Sequence, residues 1–265
     1  MNAPRMVGIP IWREARAGIE HAALRRSKVW QGKGVPKGDG TPVLLIPGFL
    51  AGDPSLRMMA HWLKELGYRP CRARMKINVD CTTRALDRLE SELEELHAAH
   101  GRRVAIVGQS RGGAMARLLA ARRPDLVSGI VTLGSPLNDQ LAVHPLVRGG
   151  VFGVGLLGTL GVPGLFSHGC QWGECCAGTR ELAAEAFPDG IGFVSVYSKT
   201  DGIVDWHSCL DEHATLAEVD ASHIGMAFSA PTYRVVAKSL AGFTRTARGT
   251  RRPSSSRSAA ARRAA

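Results

Sequence analysis

Three residues in this 265-residue chain are of the types that together turn an alcohol into a nucleophile: Ser110, Asp201 and His223. Ser110 stands in Gly108-Gln109-Ser110-Arg111-Gly112, after an apolar run at 103–107 and before an Ala-rich stretch at 112–122. A serine hydroxyl is a poor nucleophile in water. It serves when it stands clear of a sheet on a tight turn, with neighbours small enough for strand and helix to approach. Gly108 and Gly112 meet that need, and Gly113 lets the helix pack closely.

An activated serine needs a base, and the base needs an orienting acid. Asp201 lies in Ser198-Lys199-Thr200-Asp201-Gly202, just past an apolar run at 192–197, and Asp205 four residues on is the rival acid. His223 follows the run at 214–219, whereas His207 and His213 precede it. The chain order serine, aspartate, histidine is the one expected for this type of turn. The chemistry also needs two backbone donors for a developing oxyanion. One is assigned to the N–H of Arg111, immediately after the serine. The other is assigned to the N–H of Phe49, in the Pro47-Gly48-Phe49 turn after the first apolar run.

The elements that must position these residues follow from the apolar runs and their breakers. Strands are expected at 43–46, 68–73, 103–107, 129–133, 192–197 and 214–219. Helices are expected at 11–30, at 55–66 with Ser55 as cap and Gly67 as stop, and at 82–99 with Leu86, Leu89, Leu93 and Leu96 on one face. Two more follow at 112–122 and 232–240. Strand and helix alternate, which argues for an α/β fold with a mostly parallel sheet of about six strands and helices on both faces. Ligands of such sheets bind beyond the carboxyl ends of the strands. Residues 139–190 break the rhythm. Within them, 146–166 is apolar but holds seven glycines, and reads as a mobile flap over a greasy pocket rather than a membrane span.

The net charge of +11 sits in the ends. Residues 1–40 carry eight Lys/Arg against three Asp/Glu, and 245–265 carry seven arginines and no acid, so 41–244 are within one charge of neutral. The expected organisation is a basic helical extension at 1–40, one α/β domain at 41–244 containing the insertion 139–190, and a disordered basic tail at 245–265. A solvated tail is the plain reading, with weak contact to an anionic membrane surface as the alternative. No base-reading motif accompanies the charge, so no specific nucleic-acid partner is expected. No secretory signal is evident, since Arg5, Arg13, Glu14 and Arg16 interrupt any apolar stretch, and the expected location is the cytoplasm.

Cys71, Cys81 and Cys209 are scattered and read as small packing residues, while His168, Cys170, Cys175 and Cys176 cluster. That spacing matches no common zinc module. Loop packing is the first reading of the cluster, with a local disulfide and a metal site behind it, and no metal is assigned.

The segments LLIPGF, VGQSRGG, TLGSP, YSKTDGIV and ASHIGM, in this order over about 41–240, resemble the α/β-hydrolase superfamily, and within it the compact bacterial lipases and esterases. The resemblance implies Ser110 as nucleophile, Asp201 as acid, His223 as base, Phe49 and Arg111 as oxyanion donors, and no cofactor. The chain departs from many relatives at Pro47-Gly48, where they carry His-Gly, and at Ser135-Pro136-Leu137-Asn138-Asp139. The Arg111 side chain either attracts an anionic substrate group or points to solvent. The expected activity is that of a serine hydrolase cleaving carboxylic esters with an apolar acyl group. A thioesterase or acyltransferase with the same triad, and a non-catalytic binding module on the same fold, are the alternatives.

Overall fold

Continuous apolar runs bounded by Pro and Gly become strands only if both faces of the sheet are covered. The computed structural model, which describes residues 10–249, meets that condition. Strands β1 (Pro42–Ile46), β2 (Arg69–Arg72), β3 (Val104–Gln109), β4 (Val127–Leu133), β5 (Gly192–Tyr197) and β6 (Thr215–Glu218) form one sheet in the order β2-β1-β3-β4-β5-β6. Every neighbouring pair is parallel. All residues of β1, β3 and β4 are buried, while the edge strands β2 and β6 are largely polar and exposed.

The helices are α1 (Ala17–Arg26), α2 (Arg57–Glu65), α3 (Thr82–His100), α4 (Arg111–Arg122), α5 (Pro145–Thr159), α6 (His168–Trp172), α7 (Ala177–Ala184) and α8 (Ala230–Gly249). Alternate strand residues divide the core into two layers. Val43, Leu45, Val107 and Val131 pack with Leu24 of α1, Trp62 of α2 and Tyr233 of α8. Leu44, Ile46, Ile106 and Ile130 pack with α3 and α4 on the opposite face. In α3 the stripe Leu86, Leu89 and Leu93 is buried, as its spacing predicts, and Gly101 ends the helix in the left-handed conformation.

The chain moves outward from β1 to β2 and then crosses back to β3 on the other side of β1. The connections after β1 and β3 therefore diverge, and a crevice opens between them at the carboxyl edge. Both the Phe49 turn and the Ser110 turn stand at that edge.

The structure departs from the sequence expectations at three places. Ser55 is not a cap: it lies inside a 3-10 turn at Asp53–Leu56, and its hydroxyl donates to Gly52 O at 2.9 Å instead of receiving a backbone N–H. Residues 145–159 are a regular helix, α5, despite their glycines. A Cβ on Gly155 would stand 2.7 Å from the His168 ring, and one on Gly158 would stand 2.2 Å from Phe166 O, so these two glycines let the helix lie directly on the 166–168 segment. Close packing restores what propensity withholds. No helix among the described residues is long and apolar enough to cross a membrane. Finally, α8 runs to Gly249, so the first residues of the expected disordered tail are helical, and the rest of the tail lies outside the described residues.

The amino-terminal segment is not an appendage. Val29 is buried in the core, its carbonyl accepts Trp62 Nε1 at 2.9 Å, and α1 contributes Leu24 to the same layer.

Candidate active site

Ser110 joins β3 to α4 with φ 53° and ψ −126°. A non-glycine residue in such a region costs about 1–3 kcal/mol and persists only where its surroundings hold it. They do so here. Ser110 N donates to Leu133 O at 2.8 Å, and a Cβ on Gly112 would stand 2.3 Å from Ile46 O and 2.5 Å from Pro47 O. The absence of that carbon lets α4 press against the end of β1. The Pro47-Gly48 turn touches the serine itself, since a Cβ on Gly48 would be 3.1 Å from Ser110 Cβ.

Asp201 follows β5, and its side chain is fully engaged. Oδ1 accepts the backbone N–H groups of Ile203 and Val204 at 2.8 Å each, leaving Oδ2 to face His223 Nδ1 at 2.7 Å. Both residues are buried. Burial works to lower the His223 pKa, and the Asp201 carboxylate, with Glu14 behind it, outweighs burial, so the net shift is upward from 6.5. The residue before Ser110 secures the histidine loop: Gln109 Nε2 donates to His223 O at 3.1 Å. Among the described residues Ser110 Oγ has no hydrogen-bond partner; serine–base contacts are commonly long until substrate closes the site. The structure thus brings Asp201 and His223 into direct contact and sets the Ser110 turn beside their loops.

The rivals are occupied elsewhere. Asp205 accepts both His207 N, at 3.0 Å, and His207 Nδ1, at 2.7 Å, in an exposed pair. His213 stands beside Glu212.

Glu14 and Glu20 were not legible as functional residues. Glu14, in the 3-10 turn before α1, accepts the N–H groups of Gly202 and His223 on Oε1, both at 2.9 Å, and of Ile224 on Oε2 at 2.8 Å. Glu20 of α1 accepts Ser222 N at 2.9 Å and Ser222 Oγ at 2.6 Å. Two carboxylates from the amino-terminal segment therefore hold the loops that carry Asp201 and His223. Their only trace in the sequence is two acids in a basic segment.

The Arg111 side chain corrects both readings offered for it. It neither faces solvent nor waits for an anion. Nη1 donates to Asn78 O at 3.1 Å and Asn78 Oδ1 at 3.0 Å, and Nη2 to Asp80 O at 2.6 Å and Thr82 Oγ1 at 3.2 Å. Burial brings its pKa down to about 10, with Asp80 working the other way. Asn78 Nδ2 in turn donates to Pro47 O at 2.8 Å, and Asn78 pairs with Phe49 in an isolated parallel bridge. Arg111 thus ties the segment 78–82 to the Phe49 turn, while its own N–H, at the first position of α4, lacks an intrahelical acceptor.

Above this floor lies the insertion. Gly150 of α5 faces the Phe49 ring, Phe49 and Phe166 rings are 6.1 Å apart, and the Arg111 guanidinium sits 5.4 Å over Phe166. Leu146, Phe152, Leu156, Leu157 and Leu160 of this region are exposed.

A family model for the alpha/beta hydrolase fold matches residues 80–151, the stretch that contains the Ser110 turn. With the parallel six-stranded sheet, this decides the architecture. The chain has the α/β-hydrolase fold. The mature form of the Bacillus licheniformis lipase BlEst2 is similar to it with a TM-score of 0.58 and 17% identity, covering 78% of this chain and 94% of the lipase. A structure of the metagenome-derived lipolytic enzymes LipS and LipT gives 0.56 and 15%, covering 80% and 96%. A soluble variant of the Saccharomyces cerevisiae monoglyceride lipase gives 0.54 and 15%, covering 80% and 90%. No curated protein sequence matches this α/β-hydrolase-fold chain.

Proposed function

We propose that the protein is a serine hydrolase that cleaves carboxylic esters through an acyl-enzyme. The observation that carries this reading is the buried 2.7 Å contact between Asp201 Oδ2 and His223 Nδ1, set beside a serine held in a strained turn. His223 Nε2 takes the Ser110 proton as Oγ attacks the ester carbonyl, then delivers it to the leaving alcohol. Asp201 holds the imidazole with Nδ1 as donor and stabilises the imidazolium. The N–H groups of Phe49 and Arg111 receive the oxyanion. Water, activated by the same histidine, then releases the acid. The apolar surfaces of α5, Phe49 and Phe166 favour an apolar acyl group, in keeping with the lipolytic names of the solved likenesses.

Hydrolysis of p-nitrophenyl esters of increasing acyl length, by the wild type and Ser110→Ala in parallel, tests the proposal. The expected result is turnover that favours medium or long chains and falls about four orders of magnitude or more in the variant. A folded wild type inactive across the series, with detergent present, would overturn it.

A further inference from the structure

Outside the site, one cluster of reactive side chains is left without a role. Cys170 and Cys175 flank the end of α6, and Cys176 closes a 3-10 turn at the start of α7. Cys81, about ninety residues earlier in the chain, precedes α3. The four Sγ atoms all lie within 4.8 Å of one another, with Cys81–Cys176 at 3.5 Å and Cys175–Cys176 at 3.8 Å. Four thiolates around one zinc ion at about 2.3 Å in a tetrahedron are about 3.8 Å apart. Disulfides would gather the sulfurs into two close pairs; here four sulfurs share a common centre. His168, which sequence spacing groups with these cysteines, does not join them, because its Nε2 faces Phe152 O at 3.2 Å.

Hydrogen-bond donors face two of the four sulfurs. Ser167 N points at Cys170 Sγ at 3.4 Å, and the Thr83 hydroxyl at Cys176 Sγ at 3.5 Å. Such donors orient metal-bound sulfur and disperse its charge. Four thiolates and one divalent cation leave an excess of negative charge, and the Arg84 and Arg111 guanidiniums both lie within electrostatic reach of Cys81 and Cys170. Cys81 and Cys176 are buried and Cys175 is exposed, which gives the ion a path from solvent.

We propose that Cys81, Cys170, Cys175 and Cys176 form a tetrathiolate centre for a single zinc ion, pinning the insertion to the amino-terminal end of α3. Binding forms four Zn–S bonds and releases the thiol protons to solvent, with no change of oxidation state. Only Asp80 and Thr82, the neighbours of Cys81, separate this centre from the Arg111 brace, so the ion also steadies the floor beneath the insertion. The sequence hides the site because one of the four ligands is remote from the other three.

The test does not depend on hydrolytic activity. Full-length protein, purified under reducing conditions and stripped with chelator, is titrated with Zn²⁺ and with Co²⁺. The expected result is uptake of about one zinc per chain, and a cobalt form showing thiolate-to-metal charge transfer with the visible bands of a tetrahedral ion. Cys170→Ser and Cys175→Ser should lose this uptake, while Cys71→Ser, on β2, should keep it. Zinc binding should raise the thermal midpoint and slow proteolysis within 160–180. Absence of uptake by the reduced wild type, or a cobalt spectrum without thiolate bands, would overturn the proposal. So would uptake unchanged in both ligand variants.

Discussion

The two halves of the candidate active site are held by opposite charges. On the acid–base side, the carboxylates of Glu14 and Glu20 gather backbone N–H groups from the loops after β5 and β6. On the oxyanion side, the guanidinium of Arg111 gathers the carbonyls of Asn78 and Asp80 with two side-chain oxygens. Each half uses a charged group on backbone that the sheet cannot satisfy, because both lie beyond the strand ends. The difference is electrostatic. Glu14 lies close enough to His223 to favour its protonated form, whereas Arg111 is spent on neutral acceptors and is not among the groups that shift His223. One brace therefore favours the charged form of His223 as well as holding its loop, and the other only holds.

Variants separate these roles. The largest effect belongs to the shared centre: Asp201→Asn should lower kcat by about 10⁴-fold, since Asn stabilises the wrong imidazole tautomer. Next, Arg111→Met strips four acceptors of their donor and loosens the Phe49 turn. It should cost about 100-fold in kcat, the scale of one oxyanion donor, with KM and the pH profile little changed. Glu14→Gln keeps the shape but turns an amide N–H toward a backbone N–H, so kcat/KM should fall about tenfold and stability by about 1–3 kcal/mol. It should also move the pH profile. His223 must be neutral to act as base, so the acid limb of kcat/KM should lie above pH 6.5 in the wild type and shift downward in this variant. The raised pKa contributes stability fully present below the unfolded value and lost as pH rises through the folded value. Stability from this group and activity thus run in opposite directions across the window. The smallest effect is expected at the rival acid: Asp205→Ala removes a cap and its His207 contact, lowering stability by about 1 kcal/mol with kcat/KM nearly unchanged in the ester assay.

These contrasts also mark what the sequence could reveal. The six strands, the helix at 82–99 and the Ser110 turn were legible because their signals are local: continuous apolar runs, a period of 3.6, and glycines where backbones meet. Asp201 and His223 were placed by their positions after successive strands. Glu14 was invisible, because its partners are close to two hundred residues away in sequence and a carboxylate in an amphipathic helix ordinarily signals a solvated face. Cys81 was read as a packing residue for the same reason, since it meets Cys176 only through the fold. The helical form of α5 within the expected flap was not legible, because glycine propensity is a local argument, while its packing on 166–168 is a tertiary one. Arg111 was misjudged because sequence shows its charge and not the carbonyls that surround it.

The central claim is that Ser110 is the residue that becomes acylated. The most direct measurement is reaction of the folded protein with a fluorophosphonate, followed by peptide mapping and mass spectrometry. The account predicts a single adduct on the peptide containing Ser110, formed in step with loss of esterase activity and absent in Ser110→Ala. A folded protein that reacts at no serine, or at a serine other than Ser110, would contradict it.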